Sequence, residues 1–357
     1  SDGSIYVGGY TEGDLDGQTN SGPSGAFRPS DVFISKYNPD GSKDWTRLLG
    51  STTWDYANAL TGGSDGSIYI GGYTFGDLDG QTNSGSSDAF LSKYNSDGIK
   101  DWTRLLGSSS YEYPYALTTG SDGSIYLSGW TSGDLDGQTN SGSSDAFISK
   151  YNPDGTKDWT RLLGSFSSLY AYALTTGSDG SIYITGETEG DLDGQTNSGF
   201  GDAFISKYNP DGTKDWTRLL GSSKEDIGYA LTTGSDGSIY VGGYTEGDLD
   251  GQINSGSYDA FISKYNPDGT KDWTRLLGSS NGDNSSNALT TGSDGSIYIG
   301  GYTFGDLDGQ TNSGSSDAFI KKITILFAPT EISLSSISFN ENIDAGSTVA
   351  TLSTTDA

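Results

Sequence analysis

Short apolar runs punctuated by Asp-Gly set the rhythm of this chain. Near its middle, Ala116-Leu117-Thr118-Thr119 leads into Gly120-Ser121-Asp122-Gly123, and Ser124 to Thr131, rich in Ile, Tyr and Leu, follows. Asp145 to Tyr151 comes next, then the turn Asn152-Pro153-Asp154-Gly155, then Asp158 to Leu163 with Trp159. No window sustains a 3.6-residue period, so the pattern predicts strands and almost no helix. Asp-Gly between apolar runs predicts tight hairpins, because Gly accepts a positive φ and Asp tolerates one. The runs lack clean in/out alternation, which predicts strands buried on both faces.

This four-strand pattern recurs. Ser-Asp-Gly-Ser-Ile-Tyr starts at Ser1, Ser64, Ser121, Ser178, Ser235 and Ser293, at spacings of 63, 57, 57, 57 and 58. Four antiparallel strands per unit, repeated about six times, predict an all-β fold: a β-propeller of about six four-stranded blades over residues 1–323. Single-coil solenoids have shorter periods, and fibronectin-like sandwiches need longer units. We letter the strands A to D in the order above. B and C occur six times, whereas A and the Trp-bearing D occur five times. The chain thus opens in mid-pattern, without an initiator Met, and reads as a fragment whose native blade number is six or seven. The recurrent Trp (45, 102, 159, 216, 273) is expected to fill the space between blades. The recurrent Lys (36, 93, 150, 207, 264) and Arg (47, 104, 161, 218, 275) are expected to pair with carboxylates of the repeat.

Composition narrows the chemistry. The 357 residues include no His, Cys or Met, which excludes thiol nucleophiles, disulfides, His-dependent triads and imidazole or thiolate metal sites. Any metal must take oxygen ligands, as Ca²⁺ does. A net charge of −28 argues against nucleic acid, which requires a basic footprint. It would also suit a disordered chain, but 12% aromatic residues at regular positions argue for a packed one. No apolar run approaches the length of a membrane span.

The runs Gly-Ser-Ile-Tyr-Ile-Gly-Gly-Tyr-Thr, Asp-Ala-Phe-Ile-Ser-Lys-Tyr-Asn-Pro-Asp-Gly and Trp-Thr-Arg-Leu-Leu-Gly resemble the bacterial SBBP (seven-bladed β-propeller) repeat family. The resemblance implies that strand A is innermost and that the parent protein is a large secreted or surface bacterial protein. Residues 324–330 read as a linker. Residues 331–357 resemble the start of a bacterial cadherin-like domain, through Pro329 to Leu334, Glu341-Asn342, Gly346 and Asp356. That likeness implies Ca²⁺ ligation by Glu341 and Asp356, with the site incomplete in this chain.

Chain direction puts the A–B and C–D turns on one face and the B–C and D–A loops on the other, here called the top. The D–A segment varies among otherwise near-identical copies and is rich in aromatics. Trp54, Tyr56, Tyr111, Tyr113, Tyr115, Tyr170 and Tyr172 are therefore candidate ligand-binding residues. The B–C loop carries carboxylates at i and i+2: Asp14/Asp16, Asp77/Asp79, Asp134/Asp136, Asp191/Asp193, Asp248/Asp250 and Asp306/Asp308. Such a loop can wrap Ca²⁺ or be a solvated Asx turn, and its Gly is misplaced for an EF-hand. The C–D turn lacks the spacing of a sialidase Asp-box. Six near-identical units also offer no single asymmetric centre for paired-carboxylate catalysis. The composite expectation is a non-enzymatic extracellular module acting in adhesion or as a scaffold. The alternative is a multivalent lectin that stacks top-face aromatics on surface glycans, and a glycan-processing enzyme is a more distant third. Proteins are possible partners as well as glycans, and the oligomeric state stays open.

Overall fold

The computed structural model describes residues 3–324 except Ser24, Ala26, Phe27, Asn281 and Asp283, together with the backbone of two short strands further on. Six antiparallel sheets follow one another along the chain. The first has three strands, β1 (Ile5–Thr11), β2 (Asp31–Tyr37) and β3 (Lys43–Leu49). Four four-stranded blades follow. They are β4 (Asp55–Gly62), β5 (Ile68–Thr74), β6 (Asp88–Tyr94) and β7 (Lys100–Leu106); β8 (Glu112–Thr119), β9 (Ile125–Thr131), β10 (Asp145–Tyr151) and β11 (Lys157–Leu163); β12 (Leu169–Thr176), β13 (Ile182–Thr188), β14 (Asp202–Tyr208) and β15 (Lys214–Leu220); and β16 (Asp226–Thr233), β17 (Ile239–Thr245), β18 (Asp259–Tyr265) and β19 (Lys271–Leu277). The sixth sheet has three strands, β20 (Asn284–Thr291), β21 (Ile297–Thr303) and β22 (Asp317–Ile323). No helix is long and apolar enough to cross a membrane among the described residues.

Each sheet is a simple meander, so the expected register holds: the chain starts on a B strand and reaches a C strand of the sixth sheet. The A strands are innermost. β4, β8, β12, β16 and β20 lie side by side in order. Threonines at their lower ends tie blade to blade, as in Thr119 Oγ1 donating to the Gly62 carbonyl (3.1 Å) and Thr176 Oγ1 to the Thr119 carbonyl (3.3 Å). Between blades the B and C strands interdigitate, giving cores such as Tyr69, Leu91, Leu117, Leu127 and Phe147. Both faces of the inner blades are covered, as the missing alternation implied.

The recurrent Trp does lie at the blade junction, but the Arg expectation needs correcting. Trp102 Nε1 donates to the Pro153 carbonyl of the next blade's C–D turn (3.3 Å), and Arg104 Nε donates to the Gly155 carbonyl (2.8 Å) while its guanidinium lies over the Trp102 ring (5.3 Å). The same clasp joins Trp45/Arg47, Trp159/Arg161 and Trp216/Arg218 to the following blade. Arg therefore serves backbone carbonyls, whose turn geometry presents two acceptors in a row, and not repeat carboxylates. The Lys expectation stands, with Lys150 pairing to Asp158 at 3.2 Å and Lys36 to Asp44 at 3.1 Å.

Of the C-terminal segment, β23 (Glu331–Leu334) and β24 (Leu352–Thr355) pair antiparallel. Glu341 and Asp356, expected as Ca²⁺ ligands from the cadherin-like resemblance, lie outside the described residues.

Candidate functional site

The twelve paired carboxylates of the B–C loops each have a protein partner. In every copy the second Asp (16, 79, 136, 193, 250, 308) has φ between 50° and 56°, and the Gly after it has φ between 75° and 79°. Two successive left-handed residues are what a two-residue type I′ hairpin requires, and reciprocal Leu–Gln backbone bonds of about 3.0 Å close it. The Leu between the two carboxylates plugs the blade: Leu78, Leu135, Leu192 and Leu249 are buried. The first Asp accepts from an Asn backbone N–H six residues on, as in Asn83 to Asp77 and Asn140 to Asp134 (both 2.9 Å), with the same bond at Asp14, Asp191, Asp248 and Asp306. Asp14 also pairs with Arg28. The second Asp pairs with a lysine near the outer strand: Asp16 with Lys43, Asp79 with Lys100, Asp136 with Lys157, Asp193 with Lys214, Asp250 with Lys271 and Asp308 with Lys321. No group of three or more carboxylates among the described residues is close enough together to hold a metal ion. The Gln after the turn completes the arrangement. Gln81 donates to the Thr103 carbonyl (2.7 Å) and accepts from Leu105 N–H (3.2 Å), so the loop covers the otherwise open edge of the D strand.

The aromatic candidates lie elsewhere than expected. Strand A begins four residues before Ala116, so Tyr113 and Tyr115 lie within β8, Tyr170 and Tyr172 within β12, and Tyr56 within β4. Only Trp54 and Tyr111 remain in the connection ahead of the strand. Every A strand is bulged at one residue, with a register shift that leaves Asn58, Tyr115, Tyr172, Tyr229 or Asn287 unpaired. A bulge on the innermost strand re-aims its side chain, a device common beside functional sites.

These rings join with others that the loop-centred reading missed. Tyr10–Tyr56 (4.8 Å between centroids), Tyr56–Tyr73 (5.1 Å), Tyr73–Tyr113 (4.4 Å), Tyr113–Trp130 (4.8 Å) and Trp130–Tyr170 (5.6 Å) run through the first four blades. Tyr170–Tyr172 (6.2 Å), Tyr172–Tyr229 (5.2 Å), Tyr229–Tyr244 (5.9 Å) and Tyr244–Tyr258 (5.0 Å) carry the belt through the fifth. Tyr115 joins at Tyr172 (5.4 Å) and Tyr111 stacks on Tyr113 (6.1 Å). Trp54 is half exposed and stands apart. Of the additions, Tyr10, Tyr73, Trp130 and Tyr244 come from the ends of the B strands, in one column of the repeat with Glu187 and Tyr302, whereas Tyr229 is the bulged residue of β16 and Tyr258 just precedes β18. A residue column, read across copies, was the signal that could have found the B-strand rings.

The belt is acidic as well as aromatic. Burial, with Glu225 and Glu189 nearby, pushes the Glu187 carboxyl up to about 7. Burial likewise raises Asp55 and Asp226 to about 6, beneath the belt at the starts of their A strands. Tyr244 Oη donates to Glu225 Oε2. Stacked rings beside carboxylates and Asn amides can bind a flat apolar face that also carries hydroxyl or ammonium groups.

Residues 158–193 and 215–250 match the SBBP beta-propeller repeat, and residues 120–160, 177–217 and 234–274 match a beta-propeller domain of unknown function, DUF5122. A stretch of 196 residues is 31% identical to the regulatory protein FlaEY of Caulobacter vibrioides, covering 49% of this chain and 20% of that protein. The chain thus spans about a fifth of that relative. Among solved structures, the Neurospora crassa Pan2 WD40 domain is similar at 10% identity and a TM-score of 0.45, over 84% of this chain and 72% of that one. A gluconolactonase from Xanthomonas campestris is similar at 13% identity and a TM-score of 0.40, over 76% of this chain and 78% of that one. Likenesses of that order say nothing about activity. The chain is a β-propeller, and its central blades are repeats of the kind these two families describe.

Proposed function

We propose that this propeller is a non-enzymatic recognition module of a large bacterial secreted or surface protein, and that it holds surface glycans on its axial aromatic belt. The observation that carries the reading is the continuity of that belt: nine ring-to-ring contacts of 4.4–6.2 Å pass from Tyr10 to Tyr258 through five blades. Sugar rings present apolar C–H faces that stack on aromatics, while carboxylates and Asn amides orient the hydroxyls. A spacer alone does not need a run of touching aromatic rings, three of whose members (Tyr115, Tyr172, Tyr229) sit at bulges of the innermost strands. The resemblance of the repeats to those of secreted and surface proteins supports the location. The B–C loops, wired into their own blades by Lys, Asn and Gln, contribute rigidity to this reading and no ligand contact.

The test is a glycan array followed by titration. Binding by the wild-type chain, weakened about tenfold or more by Tyr113→Ala with Trp130→Ala, is the expected result. Absence of binding to any glycan, or binding indifferent to that pair, would return the chain to the scaffold reading. Turnover of a bound glycan would replace recognition by catalysis.

A further inference from the structure

The column of rings at the ends of the B strands is broken once, at the fourth blade. Glu187 takes the position that carries Tyr10, Tyr73, Trp130, Tyr244 and Tyr302 in the other copies. Three further departures accompany it. Gly201 replaces the Ser of four other copies (Ser30, Ser87, Ser144, Ser316), and a Cβ there would come within 2.4 Å of Glu187 Oε1, so its absence makes room for the carboxylate. Phe166 stands where the other copies have Ser or Thr, Phe200 where four others have Ser and the first has Pro, and both are 76% exposed. Other copies carry departures of their own, such as Ile253 and Tyr258 in the fifth, but only the fourth places a carboxylate in the ring column.

Glu187 is 8% exposed, and its carboxylate has no hydrogen-bond or ion-pair partner among the described residues. It faces Tyr170 across the β12–β13 pair, and its charge is felt by Tyr172, Tyr229 and Tyr244. Glu225 closes the same enclosure through Tyr244. Lys224, the nearest cation in sequence, is exposed and forms no ion pair with these groups. Burial without a protein partner disfavours the charged form of this carboxyl, and a cation beside it would favour that form again. Ring faces plus a carboxylate are the chemistry that accommodates an alkylammonium group.

We infer that the fourth blade's axial station is a subsite for a protonated amino group, and that the ligand it selects is an oligosaccharide of amino sugars with free amines. The inference rests on the glycan reading and adds the sugar class to it. Neutral sugars stack on any part of the belt. Only here does a ring give way to a negative charge that a free amine can neutralise and an N-acetyl group cannot.

Titration calorimetry of the whole chain against tetramers of glucosamine, N-acetylglucosamine and glucose tests it. Glucosamine tetramer should bind about tenfold tighter than the other two. Glu187→Gln should abolish that preference while leaving affinity for the neutral tetramers within a factor of two to three. Glu12→Gln, which removes the same charge from the first blade, should leave the preference intact. Equal binding of all three tetramers would overturn the inference and leave glycan recognition standing. No binding of any would overturn both. A glucosamine preference that survives in Glu187→Gln would assign it to the diffuse charge of the chain and overturn the subsite. Thermal melting of Glu187→Gln confirms that the variant is folded, and Glu187→Tyr, which restores the ring of the other blades, provides a second variant with the same expected loss.

Discussion

The third and sixth blades are built from nearly the same residues and have very different interiors. Ile148, in β10, is 1% exposed, and its counterpart Ile320, in β22, is 78% exposed. Ile125 opens β9 fully buried, whereas Ile5 opens β1 at 54% exposure. The pairings the sheets share keep one register, but among the described residues β22 has no D strand such as β11 beside it and β1 has no A strand, so the difference comes from missing neighbours, within the sheet as well as between blades. In a propeller the core belongs to the junction between blades, and a blade's sequence supplies half of two cores. The clasps repeat the lesson. Trp159 and Arg161 reach a turn in the next blade, while Trp273 and Arg275 stack on each other with no described turn to receive them.

Paired substitutions can break that comparison. Trp159→Ala should cost about 3–5 kcal/mol, measured by denaturant unfolding, because it empties a filled junction. Trp273→Ala should cost clearly less, and equal losses would mean that Trp acts within its own blade. Next in size, Ile148→Ala should cost about 2–5 kcal/mol and Ile320→Ala no more than about 0.5 kcal/mol. Similar effects at both would show that β22 is covered in solution. The smallest contrast lies in the loops. Asp136 shares its charge with Lys157 and Thr160 at one-third exposure, and Asp308 with Lys321 at half. Asp136→Asn should lower stability by about 1 kcal/mol or less and Asp308→Asn by less still, with the same values in Ca²⁺ and in chelator. A wild-type melting midpoint raised by millimolar Ca²⁺, and not raised in Asp136→Asn, would identify these loops as cation sites instead.

How far the residues alone could be read follows the same division between what lies within a blade and what lies between blades. The C strand came out at its observed bounds, 145–151, and the B and D strands within one residue, because each is a compact apolar run ended by a turn signal. Strand A was placed four residues short. Tyr113-Pro114-Tyr115 carries a proline and spans the bulge, so it shows neither alternation nor a continuous apolar run. Asp-x-Asp-Gly was ambiguous for a different reason: a Ca²⁺ loop and a left-handed hairpin both favour Asp and Gly. The intervening Leu marks a loop packed onto its blade, which both readings allow, so it does not separate them. The Arg clasp was hidden because its partners are backbone carbonyls 51 residues away, and no side-chain pattern marks a carbonyl. Glu187 becomes visible only when the six copies are aligned column by column, and its lack of a partner only in three dimensions.

The clasp has a genetic consequence. Each junction uses a donor pair from one unit and an acceptor turn from the next, in the same orientation every time. Any unit therefore fits after any other, and the one-residue-longer spacing between the fifth and sixth copies falls in the loop at the opposite end of the strands. Recombination between the near-identical gene segments that encode the units would add or remove whole blades and still leave each donor pair facing an acceptor turn. The repeat can thus change in number far more easily than in spacing, and one copy, such as the fourth, is free to acquire a specialised top while its neighbours keep the ring together.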